Sequence, residues 1–471
     1  MKQFKLLIGG KLVDGASTMD VINPAKGEAF QTCPRADEAQ LNEAVAAAKA
    51  AFPAWSARPI DERRELLLAL ADAIEARADE FAETLTLEQG KPLQQAKFET
   101  MGTAGTLRVF AGMSLEPKVV LDDDTSKVIE HRAPLGVVAA ITPWNFPLVL
   151  LANKLGPALL AGNTMVLKPA PTTPLTTLLV GELCAELFPA GVVNTITDQN
   201  DLGGVLTAHP DVAKVAFTGS TATGKKVLSS VASTLKRVTL ELGGNDAALV
   251  LDDVDVKDVA QKIFNGATFN AGQICVAIKR VYVPDAIYDE FCDELARLAR
   301  EAVVGEGTDP STQIGPIQNR MQFEKVKELL EDAKANGKII AGGEPLSRPG
   351  YFIPPTIVRD VTDDSRIVAE EQFAPVLPVL RYSDLDDAIA RVNDSIYGLG
   401  GTVWGKDVER AQAVAMRINS GTVWVNKHLD MNPMLPFRGS KQSGIGVECG
   451  EEGLYEYTQA RLVNMAKPGA A

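Results

Sequence analysis

The chain has 471 residues, 46% hydrophobic and 23% charged, with a formal net charge of −14. That length predicts two or three domains with ample apolar material for a core. The acidic balance excludes a general nucleic-acid binder, which needs a basic face, and no apolar run reaches the ~18 residues of a membrane helix.

Taken in chain order, Met1–Gly10 is too short for a secretory signal, and Ala44–Ala51 reads as plain helix. Asp61 to Gln89 predicts one long helix, because Leu67, Leu70, Ala71, Ile74, Ala78, Phe81 and Leu85 form a single apolar stripe. Asp61 offers its N-cap, and Gly90 with Pro92 its stop. From about residue 135, short apolar runs alternate with helical stretches. Val137–Ile141, Thr164–Leu167, Val212–Phe217 and Ala247–Leu251 read as strands, with Leu175–Leu187 and Gly224–Leu235 as helices. This alternation predicts a parallel sheet covered on both faces. A second alternation follows, with helices at Val256–Asn270, Pro284–Glu301 and Met321–Asn336 and a strand at Arg280–Val283. Gly444–Gly450 reads as a loop, and Ala460–Ala466 as a strand that must pair somewhere, a second subunit being one candidate.

The five cysteines, Cys33, Cys184, Cys275, Cys292 and Cys449, are widely spaced and contain no CxxC. They form neither a disulfide framework nor a zinc site and suit a reducing, cytoplasmic setting. No metal-binding motif is visible either.

Ligands of parallel sheets sit beyond the carboxyl ends of the strands, so the residues there are the chemical candidates. Cys275, in Gly272-Gln-Ile-Cys275, is either a small buried hydrophobe or a nucleophile in a turn with free backbone N–H groups. Glu241, inside the apolar run Val238-Thr-Leu-Glu-Leu-Gly-Gly244, is either a salt-bridged strand end or a buried general base. Asn145 sits between two prolines in Pro143-Trp-Asn-Phe-Pro147, which fixes its amide in one direction, as a turn residue or an oxyanion donor. Lys168 ends a strand where a nucleotide would lie, and Phe217-Thr-Gly-Ser220 opens a helix that could face a pyrophosphate.

The order of these pieces, with Glu370-Glu-Gln-Phe373-Ala-Pro, Asn393–Leu399 and Pro436–Gly444 added, resembles the aldehyde dehydrogenase superfamily over nearly the whole chain. The resemblance implies an α/β aldehyde dehydrogenase fold. It has a Rossmann-like cofactor domain (1–111 and 135–243), an α/β catalytic domain (244–458) and a small β bridging and oligomerisation element (112–134 and 459–471). It also implies NAD(P)-dependent oxidation of an aldehyde. Cys275 attacks the aldehyde carbon, and Asn145 with the Cys275 backbone N–H holds the oxyanion. Glu241 activates the water that hydrolyses the thioester.

The cofactor residues implied are Ile141, Thr142, Pro143, Trp144, Lys168, Ala170, Pro171, Gly204, Phe217, Thr218, Gly219, Ser220, Leu242, Gly243, Glu371 and Phe373. The substrate tunnel implied is Leu150, Asn153, Ile274, Val276, His428 and Phe437. Partners implied are a small-molecule aldehyde and further copies of the chain, as homodimer or homotetramer.

Departures from the family pattern bear on the cofactor. Pro171 stands where NAD-preferring relatives place a glutamate, so NAD is favoured with NADP kept open. Asn245 replaces a common lysine, and the paired-glycine turn near 198–204 reads Asp-Gln-Asn-Asp-Leu-Gly-Gly. Arg438 either pairs a substrate carboxylate or is a solvated structural arginine. Glu241 argues against a CoA-acylating relative. A catalytically retired member and a thiol hydrolase are the competing classes.

Overall fold

The computed structural model describes residues 2–468; Met1 and residues 469–471, which fall within two of the segments discussed above, lie outside it. The first sheet has eight strands, with Val193–Thr195, Thr164–Lys168, Val137–Ile141, Val212–Thr218 and Arg237–Glu241 as its parallel centre. Its central strands, Val137–Ile141 and Thr164–Lys168, are buried at every position. An apolar run that is covered on both faces has no solvent side to alternate with, which is why it is continuous. Leu6–Ile8 and Gly444–Ile445 join the two sides of this centre antiparallel. The chain starts the parallel centre at Val137–Ile141, builds outward on one side, then crosses back to Val212–Thr218. The crevice over that reversal is where such sheets bind ligands.

The second sheet has seven strands, centred on Val376–Tyr382, Ile278–Pro284, Asp246–Val250 and Gly400–Trp404, all parallel. Apolar clusters line its two faces, one built on Leu249, Tyr282 and Val403, the other on Val250, Val281 and Trp404. Each fully buried aliphatic side chain contributes roughly 1.5–3 kcal/mol. Several helices begin where a side chain satisfies one of their first free N–H groups. Ser220 accepts from Thr223 N at 3.2 Å and Asp255 from Asp258 N at 3.1 Å.

Several expectations are corrected. The long helix is two, Ile60–Ala76 and Ala78–Gln89, broken at Arg77. Pro59 rather than Asp61 occupies the N-cap, and Asp61 sits in the first turn. Gly444–Gly450 is not a loop: Gly444–Ile445 pairs with Leu240–Glu241, and Gly450 opens the helix Gly450–Tyr455. The strand Thr458–Ala466 pairs with Ser126–Pro134 of its own chain, and Lys118–Asp122 completes a three-stranded sheet with Thr458–Ala466 at its edge. Gly224–Leu235 is the helix Thr221–Val231 followed by a tight turn at Ala232–Thr234.

Candidate active site

The two sheets present their chemistry to one crevice. Asn145 follows Val137–Ile141, Glu241 ends Arg237–Glu241, and Cys275 lies in the turn before Ile278–Pro284. That turn is entered through Asn270 and Ala271, both left-handed at φ 51° and 55°. Such conformations cost about 1–2 kcal/mol per residue and persist only where the surroundings hold them. Here they do. Asn145 Nδ2 donates to Gln273 O at 2.9 Å, while Asn145 O accepts from Lys91 Nζ at 2.9 Å and Asn270 Nδ2 at 3.2 Å. One N–H of the Asn145 amide is thereby engaged and the second is left to donate.

Cys275 is half-buried. Burial, reinforced by the charges of Asp246, Glu241 and Glu371, pushes its thiol up to about 12, with Lys279 pulling the other way. The thiol therefore rests protonated and gives up its proton only as it reacts. Glu241 is 5% exposed, and neither carboxylate oxygen has a hydrogen-bond partner among the described residues. Burial and then the charge of Glu448 raise it well above the ordinary carboxylate range, against Lys154. A buried carboxylate without partners is unfavourable by several kcal/mol unless it stays neutral or meets water. It is not the salt-bridged strand end that the sequence left open.

Two residues near Glu241 escaped sequence reading. Lys154, fully buried, donates to Thr218 Oγ1 at 2.7 Å and pairs with Glu448. A single lysine inside the apolar helix Val149–Ala161 was the available signal.

The expected cofactor residues gather at the strand ends. Ile141, Thr142, Phe217, Thr218 and Leu242 are buried, and Pro143, Ala170, Pro171 and Gly219 half-buried beside them. Gly204 and Ser220 are exposed, and Ser220 caps the helix Thr221–Val231. Trp144 meets Phe373 edge-on at 5.3 Å. Lys168 Nζ is held by Asp198 Oδ1 at 2.5 Å, and the same carboxylate accepts from Leu202 N at 2.9 Å. Gly243 lies so close to Glu371 that a Cβ there would sit 2.6 Å from Glu371 Oε2. Glu371 Oε1 accepts from Gly244 N at 3.0 Å. This glycine cradle, closed by a half-buried carboxylate with Phe373 two residues further on, fits a nicotinamide riboside.

Of the tunnel residues, Ile274, Val276 and Phe437 pack in one apolar cluster with Cys275, joined by Phe146, Phe269, Trp424 and Leu429. His428 Nε2 lies 2.6 Å from Val276 O. A carbonyl only accepts, so Nε2 carries the proton; burial holds this imidazole down to about 3, neutral at any working pH. Leu150 and Asn153 are half-buried on the helix Val149–Ala161 and outside that cluster. Arg438 is engaged by its own chain, donating to Glu452 at 2.7 Å.

Residues 12–463 match the profile of the Aldehyde dehydrogenase family. The chain belongs to that family. This aldehyde dehydrogenase is 39% identical to phenylacetaldehyde dehydrogenase of Pseudomonas fluorescens, with 98% of this chain and 96% of the relative covered. It superposes on the NAD+ complex of an aldehyde dehydrogenase from Bacillus cereus with a TM-score of 0.96 at 37% identity, over 99% of this chain and 97% of that one. An NADP-dependent enzyme from E. coli gives a TM-score of 0.96 at 36% identity, over 99% of this chain and 98% of that one. The protein is an oxidoreductase that oxidises an aldehyde with NAD(P)+.

Proposed function

We propose that Cys275 is the nucleophile, Asn145 the oxyanion donor and Glu241 the general base of this aldehyde dehydrogenase. One observation carries the assignment: the Cys275 thiol feels the charge of a Glu241 whose two oxygens are both unengaged. An aldehyde releases hydride readily only after a nucleophile has made its carbon tetrahedral. The Cys275 sulfur bonds to that carbon and gives up its proton to solvent. The free Asn145 N–H and the Cys275 backbone N–H hold the resulting oxygen anion. Glu371, Phe373, Trp144 and the Gly243 cradle would hold a nicotinamide dinucleotide, which would supply the hydride acceptor. Once hydride has gone, Cys275 carries a thioester, and Glu241 takes a proton from the water that cleaves it. The paired Lys154 and Glu448 act on Glu241 in opposite senses, Lys154 favouring its charged form and Glu448 its neutral one.

Asp198 is the carboxylate that Pro171 lacks. It lies against Lys168 and would repel a 2′-phosphate, which favours NAD over NADP. The Ile274, Val276, Phe437 and Trp424 cluster favours an apolar aldehyde, a reading supported by the similarity to a phenylacetaldehyde dehydrogenase.

The three-stranded sheet exposes Val119, Val120, Leu121, Leu462, Val463 and Met465, so this face is assigned to subunit contact in a homodimer or homotetramer. Light scattering that returns the mass of one chain would reject that assignment. Five free cysteines support a cytoplasmic location, and recovery of the native protein from a secreted fraction would reject it. Among the described residues, no helix is long and apolar enough to cross a membrane.

The deciding experiment is Cys275→Ser assayed with NAD+ and an aldehyde. Turnover should fall by about 10³-fold or more, and the acyl adduct seen by mass spectrometry in the parent enzyme should vanish. Retained turnover would remove Cys275 from the mechanism.

A further inference from the structure

Lys279, at the start of the strand Ile278–Pro284, is 2% exposed and reaches back toward the nucleophile turn. Its ammonium donates to Ile274 O at 2.8 Å and Cys275 O at 2.6 Å, with Ala277 O at 3.4 Å. It also lies 3.7 Å from Glu371 Oε1 and 5.9 Å from the centre of the Phe373 ring. One cation therefore ties the turn carrying the thiol to the two residues assigned to the nicotinamide.

Geometry gives these bonds a consequence. In a trans peptide the carbonyl and the next N–H point in opposite directions within one plane. The Ile274 carbonyl belongs to the same peptide unit as the Cys275 N–H. Fixing that carbonyl from behind, where Ala277 N also donates to it at 3.1 Å, aims the Cys275 N–H forward. Among the described residues nothing accepts from the Cys275 N–H. Pulling on the carbonyl also polarises the amide and makes its N–H a stronger donor. The second carbonyl is trapped as well: a Cβ on Gly244 would fall 2.4 Å from Cys275 O, so backbone closes one side of it while Lys279 bonds to it.

We propose that Lys279 is a positioning residue for the oxyanion hole: it aims the Cys275 backbone N–H and sets a positive charge beside the anions that form at that residue. The proposal rests on the reading of Cys275 as nucleophile. The charged groups around the thiol are Lys279, Asp246, Glu241 and Glu371, of which Lys279 alone favours the thiolate. Those facing Lys279 are Glu371 at 3.7 Å and, at longer range, Asp246 and the neutral His428. Neighbouring Arg280 is directed to Asn245 O, Tyr282 and Val392 O.

The test compares Lys279→Met, Lys279→Arg and the parent enzyme by two readouts. The first is the rate of Cys275 alkylation by iodoacetamide against pH, without aldehyde or cofactor. The second is the pre-steady-state hydride burst with NAD+ and an aldehyde. Lys279→Met should move the alkylation midpoint upward by about one pH unit. It should also slow the burst by about ten- to a hundredfold while KM changes less than about threefold. Lys279→Arg should restore most of both. A folded Lys279→Met enzyme with the parent's alkylation profile and burst overturns the proposal, as does a profile that Lys279→Arg fails to restore. If Lys279→Met does not fold, Lys279→Gln replaces it: an upward midpoint supports the proposal and an unmoved one overturns it. An inert Cys275→Ser beside a fully active Lys279→Met would sink this inference alone. Full activity in both would sink the nucleophile assignment as well.

Discussion

Glu99 and Glu241 are the same residue at nearly the same burial, and they are treated in opposite ways. Glu99 accepts from Lys91 Nζ at 2.5 Å and from Leu148 N at 2.9 Å, bracing the start of the helix Val149–Ala161 and, through Lys91, the Asn145 backbone. Glu88 does the same for the helix Leu175–Leu187, taking Leu175 N at 2.7 Å and Thr176 N at 3.0 Å. Glu241 has no such partners. A buried carboxylate is tolerable when every lone pair is occupied, and then it is scaffold. Left unoccupied, it destabilises the fold and remains free to take a proton.

This contrast can be broken by removing each carboxylate. Glu241→Gln should lower steady-state turnover by about 10²–10⁴-fold while leaving the first hydride burst in place, measured by stopped flow. Its thermal midpoint should rise, and the gain should grow with pH. In the parent enzyme the folded value of Glu241 lies above its unfolded value, so stability is fully present in acid and is lost as pH climbs through the raised value. Gln carries no such dependence. A lower midpoint at pH 8 than the parent's would contradict the assignment.

Glu99→Ala should behave in reverse, losing about 3–5 kcal/mol of stability because Lys91 is left buried and alone. Thermal unfolding would show it, and an unchanged midpoint would mean that the pair is not structural. The smallest effect sharpens the comparison at the cofactor end. Asp198→Ala, which frees Lys168, should improve NADP binding relative to NAD by about tenfold in a fluorescence titration. An unchanged ratio would leave Asp198 without a role in selection.

Sequence alone located the strands whose runs are covered on both faces, and with them Asn145, Lys168 and Glu241, since each directly ends or follows such a run. The break at Arg77 was hidden because Ile74 and Phe81 lie seven residues apart, two turns in one helix or across two, so the stripe continues through the gap. Lys154, Asp198 and Lys279 were missed for another reason. Their meaning lies in partners supplied by the fold: Lys154 and Glu448 are 294 positions apart, and Lys168 and Asp198 are 30. No local pattern encodes such pairings.

The segment from Gly444 to Ala466 runs without interruption from the edge of Glu241's own strand, through Glu448 and a short helix, into the exposed three-stranded sheet. A mechanical load on the tail therefore reaches the reaction centre along one stretch of backbone. A purification tag fused at that end, or a partner docked on that sheet, belongs among the variables that tune hydrolysis rather than among the inert conveniences of preparation.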